Sequence, residues 1–257
     1  MCQSARCPNI FECFSRGAAT FLVMGPGCTR RCAFCNIGSG ERPSIAPLDL
    51  DEPRRVAVAA QLLSLAHVVL TSVTRDDLPD GGAAHFAATI RAAQTALPGC
   101  SVEALVPDFG GVASSLDTVL AARPDVLNHN VETAPALYPT IRAAADYGRS
   151  LELLRRAKAA GATTKSGLMV GLGETDQEVR AIITDLRDAG CDMITIGQYL
   201  PPTRRNPTPA RYVHPDTFEE YEAFGREIGV GQMFCGPLVR SSYHAANFAP
   251  RAPGEPN

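Results

Sequence analysis

The stretch that decides the fold is residues 20–35, TFLVMGPGCTRRCAFC. Its first six residues form an apolar, β-branched run ending in glycine, the composition of a buried strand. A nucleotide-binding Rossmann turn would continue as G-x-G-x-x-G, but here the run gives way to a cysteine loop. Similar runs recur at 67–73 (HVVLTSV), 101–106 (SVEALV), 125–131 (DVLNHNV), 164–170 (TKSGLMV) and 193–197 (MITIG). Between them, alanine- and leucine-rich segments with helical spacing lie at 51–66, 83–96, 114–122, 150–160 and 215–228. The clearest helix begins at Thr175, an N-cap with Glu178 three residues on, followed by Val179, Ile182, Ile183 and Leu186 on one face. Six strands alternating with helices predict an α/β fold with a parallel sheet, either doubly wound or curled into a barrel. Parallel barrels keep their chemistry at the C-terminal ends of the strands. The cysteine group that opens three residues after Gly25 falls there.

The chain has 257 residues, 45% hydrophobic and 20% charged, with a net charge of −3. A chain of this length buries roughly 70–75% of its unfolded surface and needs no disulfide staples. The composition excludes a disordered chain and carries no whole-chain signal for nucleic acid. No apolar run reaches the roughly 18–20 residues of a membrane span, and the start MCQSARCPNIF has no signal-peptide core. Tryptophan is absent and aromatics are 6%, so stacking does not dominate any binding surface. The Pro- and Gly-rich stretches 38–47, 201–209 and 249–256 read as loops or a tail. The organisation expected is one domain with appended ends, divided as 1–19, 20–229 and 230–257.

Nine cysteines do not fit a bland reading. Cys2, Cys7, Cys13, Cys28, Cys32 and Cys35 crowd the first 35 residues, whereas Cys100, Cys191 and Cys235 are scattered and read as small buried apolar residues. A secreted disulfide scaffold would be shorter and would spread its cysteines, so clustered thiols point to metal or cluster ligands in a reducing compartment, with the cytoplasm as default. Cys28, Cys32 and Cys35 have C-x3-C-x2-C spacing, and three such thiolates can hold three irons of a [4Fe–4S] cube, leaving the fourth open. A structural zinc site remains the alternative; it would want a fourth ligand close by, and the nearest histidine is His67. Cys2, Cys7 and Cys13, at C-x4-C-x5-C spacing, offer a second such set. His67, His85, His129, His214 and His244 form no metal-spaced group; His129, at a strand end, reads as a hydrogen-bonding residue.

The second triplet, with Phe34 before its last cysteine, resembles the signature of the radical S-adenosylmethionine (SAM) superfamily. Residues 167–174, GLMVGLGE, fit that superfamily's fifth-strand G-x-[apolar]-x-G-x-x-E pattern, although alone they read equally as a strand, a glycine turn and a helix cap. The two triplets together with NHNVE (128–132), TRDDLPDGG (74–82), VPDF (106–109) and RSSY (240–243) resemble the lipoyl synthase family from Cys2 to about residue 245. That resemblance implies a partial (β/α)6 TIM-type barrel with N-terminal and C-terminal extensions carrying an auxiliary iron–sulfur cluster. It implies insertion of two sulfur atoms, at C6 and C8, into a protein-bound octanoyl group. Each C–H bond is broken by a 5′-deoxyadenosyl radical, and the sulfur is drawn from the auxiliary cluster.

The implied cofactors are two [4Fe–4S] clusters and SAM. Cys28, Cys32 and Cys35 would bind the SAM cluster, and Cys2, Cys7 and Cys13 the auxiliary one. Its fourth iron would go to Ser242 of the RSSY motif, with Ser241 the close alternative. A hard alkoxide on iron is more labile than a soft thiolate, which suits a cluster that gives up sulfide. Phe34 and Gly171 are expected near the adenine, Thr71 and Ser72 near the SAM amino group, and Asn130 and Glu132 near the ribose. Arg75, Asp76 and Asp77 either order the site or cap a helix. The arginine pairs Arg30/Arg31, Arg54/Arg55, Arg155/Arg156 and Arg204/Arg205 are candidates for meeting an acidic carrier domain. The partners implied are an octanoylated lipoyl carrier and a low-potential electron donor, with no nucleic acid, no membrane and a monomeric chain. The resemblance departs at the front, where family members carry several dozen residues before the first cysteine, and at Phe14, where tryptophan is common. Two rivals remain: another radical SAM sulfur-inserting or maturation enzyme with an auxiliary cluster, and a non-catalytic iron–sulfur electron carrier.

Overall fold

The computed structural model describes residues 1–37 and 45–243. A short helix α1 (Ile10–Ser15) precedes β1 (Ala18–Val23). Strands and helices then alternate: α2 (Glu52–Leu62), β2 (His67–Ser72), α3 (Ala83–Ala96), β3 (Ser101–Leu105), α4 (Ala113–Leu120) and β4 (Val126–Asn128). A one-turn helix α5 (Tyr138–Ile141) and α6 (Tyr147–Ala159) lead to β5 (Thr164–Val170), α7 (Asp176–Asp188), β6 (Met193–Gln198), α8 (Pro215–Glu227) and β7 (Gln232–Gly236). All seven strands are parallel and lie in chain order, β1 to β7. Parallel neighbours joined by helical crossovers coil the sheet in one hand, giving an incomplete barrel with β1 and β7 as its edges. No helix among the described residues is long and apolar enough to cross a membrane.

Six of the strands occupy the stretches expected. The seventh lies inside the 230–257 extension and pairs in register with β6, Ile194 opposite Met233 and Thr195 opposite Phe234. The sheet therefore runs past residue 229, and it also starts at Ala18, two residues before the expected boundary. Strand β4 is shorter than 125–131 because regular pairing stops at Asn128 and resumes at one bridge, Glu132 with Leu168. Between them the backbone bulges, and Glu132 sits at φ +68, a left-handed conformation costly for a side-chain-bearing residue.

The expected capping box forms at α7. Thr175 Oγ1 accepts from the Glu178 N–H at 3.2 Å, and Glu178 Oε2 accepts from the Thr175 N–H at 2.7 Å. Val179, Ile182, Ile183 and Leu186 are its buried face. They pack with Val170, Ile194, Ile196, Phe218 and Tyr221 on the outside of the second half of the sheet. Val68, Leu70, Phe86, Ile90, Val102 and Leu127 do the same for the first half. Inside the barrel, Val69, Val126 and Met193 form a small apolar layer backed by Leu105 and Phe234.

Beside that layer lies a fully buried ion pair. Lys165 Nζ on β5 donates to Glu103 Oε2 on β3 at 3.0 Å, and Asn128 Nδ2 donates to Glu103 Oε1 at 2.7 Å. Burial works to raise the Glu103 carboxyl, but Lys165, His67 and Asn128 outweigh it and hold it below the usual carboxylate range. Three neighbouring strands are thus locked through polar atoms that have no access to water.

Candidate iron–sulfur and SAM site

The segment 28–35 is held in place by chain that follows the neighbouring strands. Thr29 N–H donates to the Thr74 carbonyl at 2.9 Å, and the Ala33 N–H to that of Ile141 at 2.9 Å. Arg30 points away from solvent and bonds Asp76 through Nε and Nη2, each at 2.8 Å, and Asp108 through Nη2 at 2.6 Å. Asp76 follows β2 and Asp108 follows β3, so two strand ends fix one cysteine loop. Of the two readings of Asp76, ordering the site is the one realised; Arg75 instead pairs with Asp77 at 2.8 Å.

Burial pushes the Asp108 carboxyl up, yet the Arg30 guanidinium overrides it and brings the value down to about 2, from 3.8. Asp108 is 1% exposed, so its ionised form contributes about 2 kcal/mol to stability at neutral pH. That contribution is complete above the unfolded value and is lost as pH falls from about 4 through 2. Asp108→Asn should therefore lower the urea midpoint at pH 7, and the gap to the parent should close in acid. A gap that stays constant with pH overturns the assignment.

Cys28, Cys32 and Cys35 line one cavity of about 610 Å³, together with Phe34, Thr71, Ser72, Asn130, Glu132 and Arg142. Two of the sulfurs accept backbone hydrogen bonds, Cys28 from Thr74 and Cys35 from Ile37, each at 3.3 Å. Such donors stabilise a thiolate. Among the described residues no three His, Cys, Asp or Glu side chains converge on a point where one ion would sit. A four-iron cube instead takes its thiolates at separate corners, and three soft sulfurs around one space fit it. Burial pushes the Cys32 thiol up to about 11 and the Cys35 thiol to about 12.

Ser72 Oγ and Asn130 Oδ1 are buried without a hydrogen-bond partner among the described residues. Buried polar atoms are rarely left so, and on a cavity wall they are fit to meet a polar ligand. Asn130 Nδ2 donates to Glu132 Oε1 at 3.1 Å, and burial raises the Glu132 carboxyl. Gly171 lies in neither cavity lining: a Cβ there would meet Gln198 Nε2 at 2.3 Å and the Arg211 carbonyl at 2.5 Å, so its smallness serves internal packing. Glu174 ties the same turn, accepting from the Gly171 and Leu172 N–H groups at 2.6 and 2.9 Å.

A second cavity, of about 350 Å³, is lined by Cys2, Cys7, Cys13, Ser241 and Ser242 on one side. Val69, Leu105, Gly167, Met169 and Thr195 of the barrel interior form the other. It shares Met1, Thr71, Leu105, Asn130, Glu132 and Ser241 with the first cavity, so the two adjoin. The terminal segments that carry its cysteines and serines meet across the barrel's open edge. Asn9 Nδ2 donates to the Leu238 carbonyl at 2.7 Å, and the Tyr243 hydroxyl to Glu12 Oε2 at 3.0 Å. Gly197, at the end of β6, admits this crossing: a Cβ there would lie 2.0 Å from the Val239 carbonyl oxygen.

Several site residues have little signature in the sequence. Arg142, beside Cys32 and Glu132, follows α5, a helix too short to show a period. Gly197 shows only as a glycine inside an apolar run. Asn206 Nδ2 donates to the carbonyls of Ala33 and Cys35 at 3.0 and 3.3 Å, from a Pro-rich loop with no pattern to read. His129 does what was expected: burial lowers it to about 4, and it bonds the Val106 carbonyl at 2.8 Å and Ser150 Oγ at 3.0 Å. His244 lies outside the described residues. Of the scattered cysteines, Cys191 is buried and Cys100 and Cys235 are half-buried. Phe14 is 41% exposed.

Residues 22–186 match the Radical SAM superfamily. A lipoyl synthase of Oleidesulfovibrio alaskensis is 65% identical over 248 residues, 96% of this chain and 84% of that protein. One from Nitratidesulfovibrio vulgaris is 62% identical over 245 residues, 95% of this chain and 81% of the relative. Among solved structures, HydG, a maturase of the [FeFe]-hydrogenase, superposes with a TM-score of 0.66 over 84% of this chain and 51% of its own. At 16% identity that likeness speaks for the barrel alone. Identity this high over nearly the whole chain, on a barrel whose first strand opens into a three-cysteine cavity, places the chain in the lipoyl synthase family of radical SAM enzymes, which use a [4Fe–4S] cluster and SAM and act on octanoylated lipoyl carrier proteins.

Proposed function

We propose that this chain carries out the family's sulfur insertion with two cubes, one in each cavity. The observation that carries this reading is the adjoining of the two cavities along Thr71, Leu105, Asn130, Glu132 and Ser241. In the assignment, Cys28, Cys32 and Cys35 hold the SAM cluster, and Cys2, Cys7 and Cys13 hold an auxiliary cluster with Ser242 on its fourth iron. When bound, these groups supply a 5′-deoxyadenosyl radical on one side and sulfide on the other.

The chain's own residues position and shield. Ser72 and Asn130 offer unfilled polar atoms to SAM, Thr71 stands beside them, and Phe34 supplies an apolar wall for the adenine. Glu132, four residues past the end of β4, faces the same space, and Gly171 is assigned a backbone approach to the adenine. Val69, Leu105 and Met169 give the second cavity an apolar lining suited to an acyl chain. A substrate carbon at the junction would lie between the two reacting sides, so the intermediate need not migrate.

The test is anaerobic reconstitution followed by mass analysis of an octanoylated carrier domain. The reading expects about eight irons per chain, two four-iron clusters, and a product that has gained two sulfurs. Loss of octanoyl mass without sulfur gain favours a different radical SAM enzyme. Failure to release 5′-deoxyadenosine under reducing conditions favours an electron carrier.

A further inference from the structure

The arginine pairs that stand out in the sequence have different fates in the fold. Arg54 and Arg55 are taken up by Asp51 and Asp49, and Arg155 and Arg156 by Glu152. Arg30 is turned inward onto Asp76 and Asp108. Arg6, Arg31, Arg204 and Arg205 are exposed, and none of them has a carboxylate partner among the described residues. All four belong to one place. Arg6 lines the second cavity, Arg31 and Arg205 line the first, and Arg6, Arg204 and Arg205 together line a shallow surface depression between the two mouths.

The loop 201–206 makes this rim a built surface. Asn206 ties it to the Ala33 and Cys35 carbonyls, and Arg6 Nη1 donates to the Pro202 carbonyl at 3.2 Å. Asn36 Nδ2 donates to the Ser4 carbonyl at 2.6 Å, which joins the two cysteine segments directly. The described walls of both cavities and the depression hold one carboxylate, Glu132, which is turned inward. A chain of net charge −3 thus presents, among its described residues, a cationic rim without carboxylate partners at the mouths of its cavities.

We infer that the 201–206 loop, with Arg204 and Arg205 at its tip, is the docking surface for the octanoylated carrier protein, through an acidic face of the carrier beside its acyl arm. This rests on the reading above, because an acyl chain delivered to the junction brings its parent protein against whatever surrounds the mouth. Rim charges of this kind steer encounter and set salt dependence more than they add buried energy. The carboxylates of the carrier would replace the water around these guanidinium groups, while the apolar cavity takes the arm.

The test separates docking from chemistry. Binding of the reconstituted enzyme to an octanoylated carrier domain is measured by calorimetry, without SAM or reductant. Turnover of the same domain and of a short octanoylated peptide is measured with dithionite as the reductant. Arg204→Glu is expected to weaken carrier binding about tenfold at low salt, with the gap narrowing as salt screens the rim. Arg204→Lys should recover most of the affinity, and turnover of the short peptide should be unchanged. Equal losses with peptide and carrier would overturn the inference, as would carrier affinity indifferent to both charge and salt. A defect seen only when a protein electron donor replaces dithionite would reassign the surface to that donor. Failure of the proposed function reads out separately, as a parent enzyme that adds no sulfur to either substrate.

Discussion

A Ser242→Ala enzyme is expected to cleave SAM at close to the parent rate while forming little or no lipoyl product. The two halves separate because the cavities do. Ser242 lines the cavity of Cys2, Cys7 and Cys13 but not that of Cys28, Cys32 and Cys35, so under the proposed assignment its loss touches sulfur delivery and not radical formation. Removing a residue that merely orients a metal ligand costs about 10–100-fold in metal affinity or activity; loss of a ligand should cost at least as much. Iron per chain should fall toward about four, or the auxiliary cluster should become labile to a chelator at unchanged product of SAM cleavage. Ser241→Ala is the informative comparison, because Ser241 lines both cavities. If Ser242→Ala keeps its full iron content and makes lipoyl groups normally, while Ser241→Ala does not, the ligand is Ser241.

The largest expected effect on stability comes from the barrel interior. Lys165→Met should cost about 3–5 kcal/mol, because it leaves the Glu103 carboxylate buried without its cation. Asn128 and His67 remain beside Glu103, but neither supplies the fixed charge that Lys165 places 3.0 Å away. For a domain whose total stability is about 5–15 kcal/mol this is a large fraction. Lys165→Met combined with Glu103→Leu should recover most of it, since an apolar pair of similar volume has no desolvation to offset and the layer of Val69, Val126 and Met193 lies close by. Urea unfolding of the two single variants and the double variant closes the cycle. A Lys165→Met midpoint within about 1 kcal/mol of the parent would mean that water or a rearranged proton relieves Glu103.

The barrel was legible because its strands are continuous apolar runs and its helices carry one apolar face, and α7 declared both its start and its buried side. Strand β7 escaped for the opposite reason: Gln232 is exposed, only Met233 is fully buried, and five residues at a sheet edge show too little alternation to be read. The cysteine spacings announced that ligands were present, but their support was hidden in pairings 46 and 78 residues away, Arg30 with Asp76 and Asp108. Sequence adjacency was misleading for the arginines. Four doublets look alike on paper, and only the fold shows that nearby carboxylates neutralise Arg54, Arg55, Arg155 and Arg156 while Arg204 and Arg205 are left over. At Gly171 the motif does not show the close approach of Gln198 and Arg211 that the fold brings against it.

The bond between Glu12 and Tyr243 joins residues 231 positions apart. Closing so long a loop in an open chain costs about (3/2)RT ln n beyond a constant, and one half-buried hydrogen bond cannot offset that. The two ends can meet only after the strands between them have curled and brought β1 and β7 to facing edges. Completion of the second cavity therefore requires the barrel to have closed. Cys2, Cys7 and Cys13 lie far along the chain from the serines that share their cavity, whereas the loop carrying Cys28, Cys32 and Cys35 meets Thr74, Asp76 and Asp108 through nearer contacts. The second cavity thus depends on the whole barrel having closed, and a chain stalled short of Val239 would lack Ser241 from both cavities and Ser242 from the second.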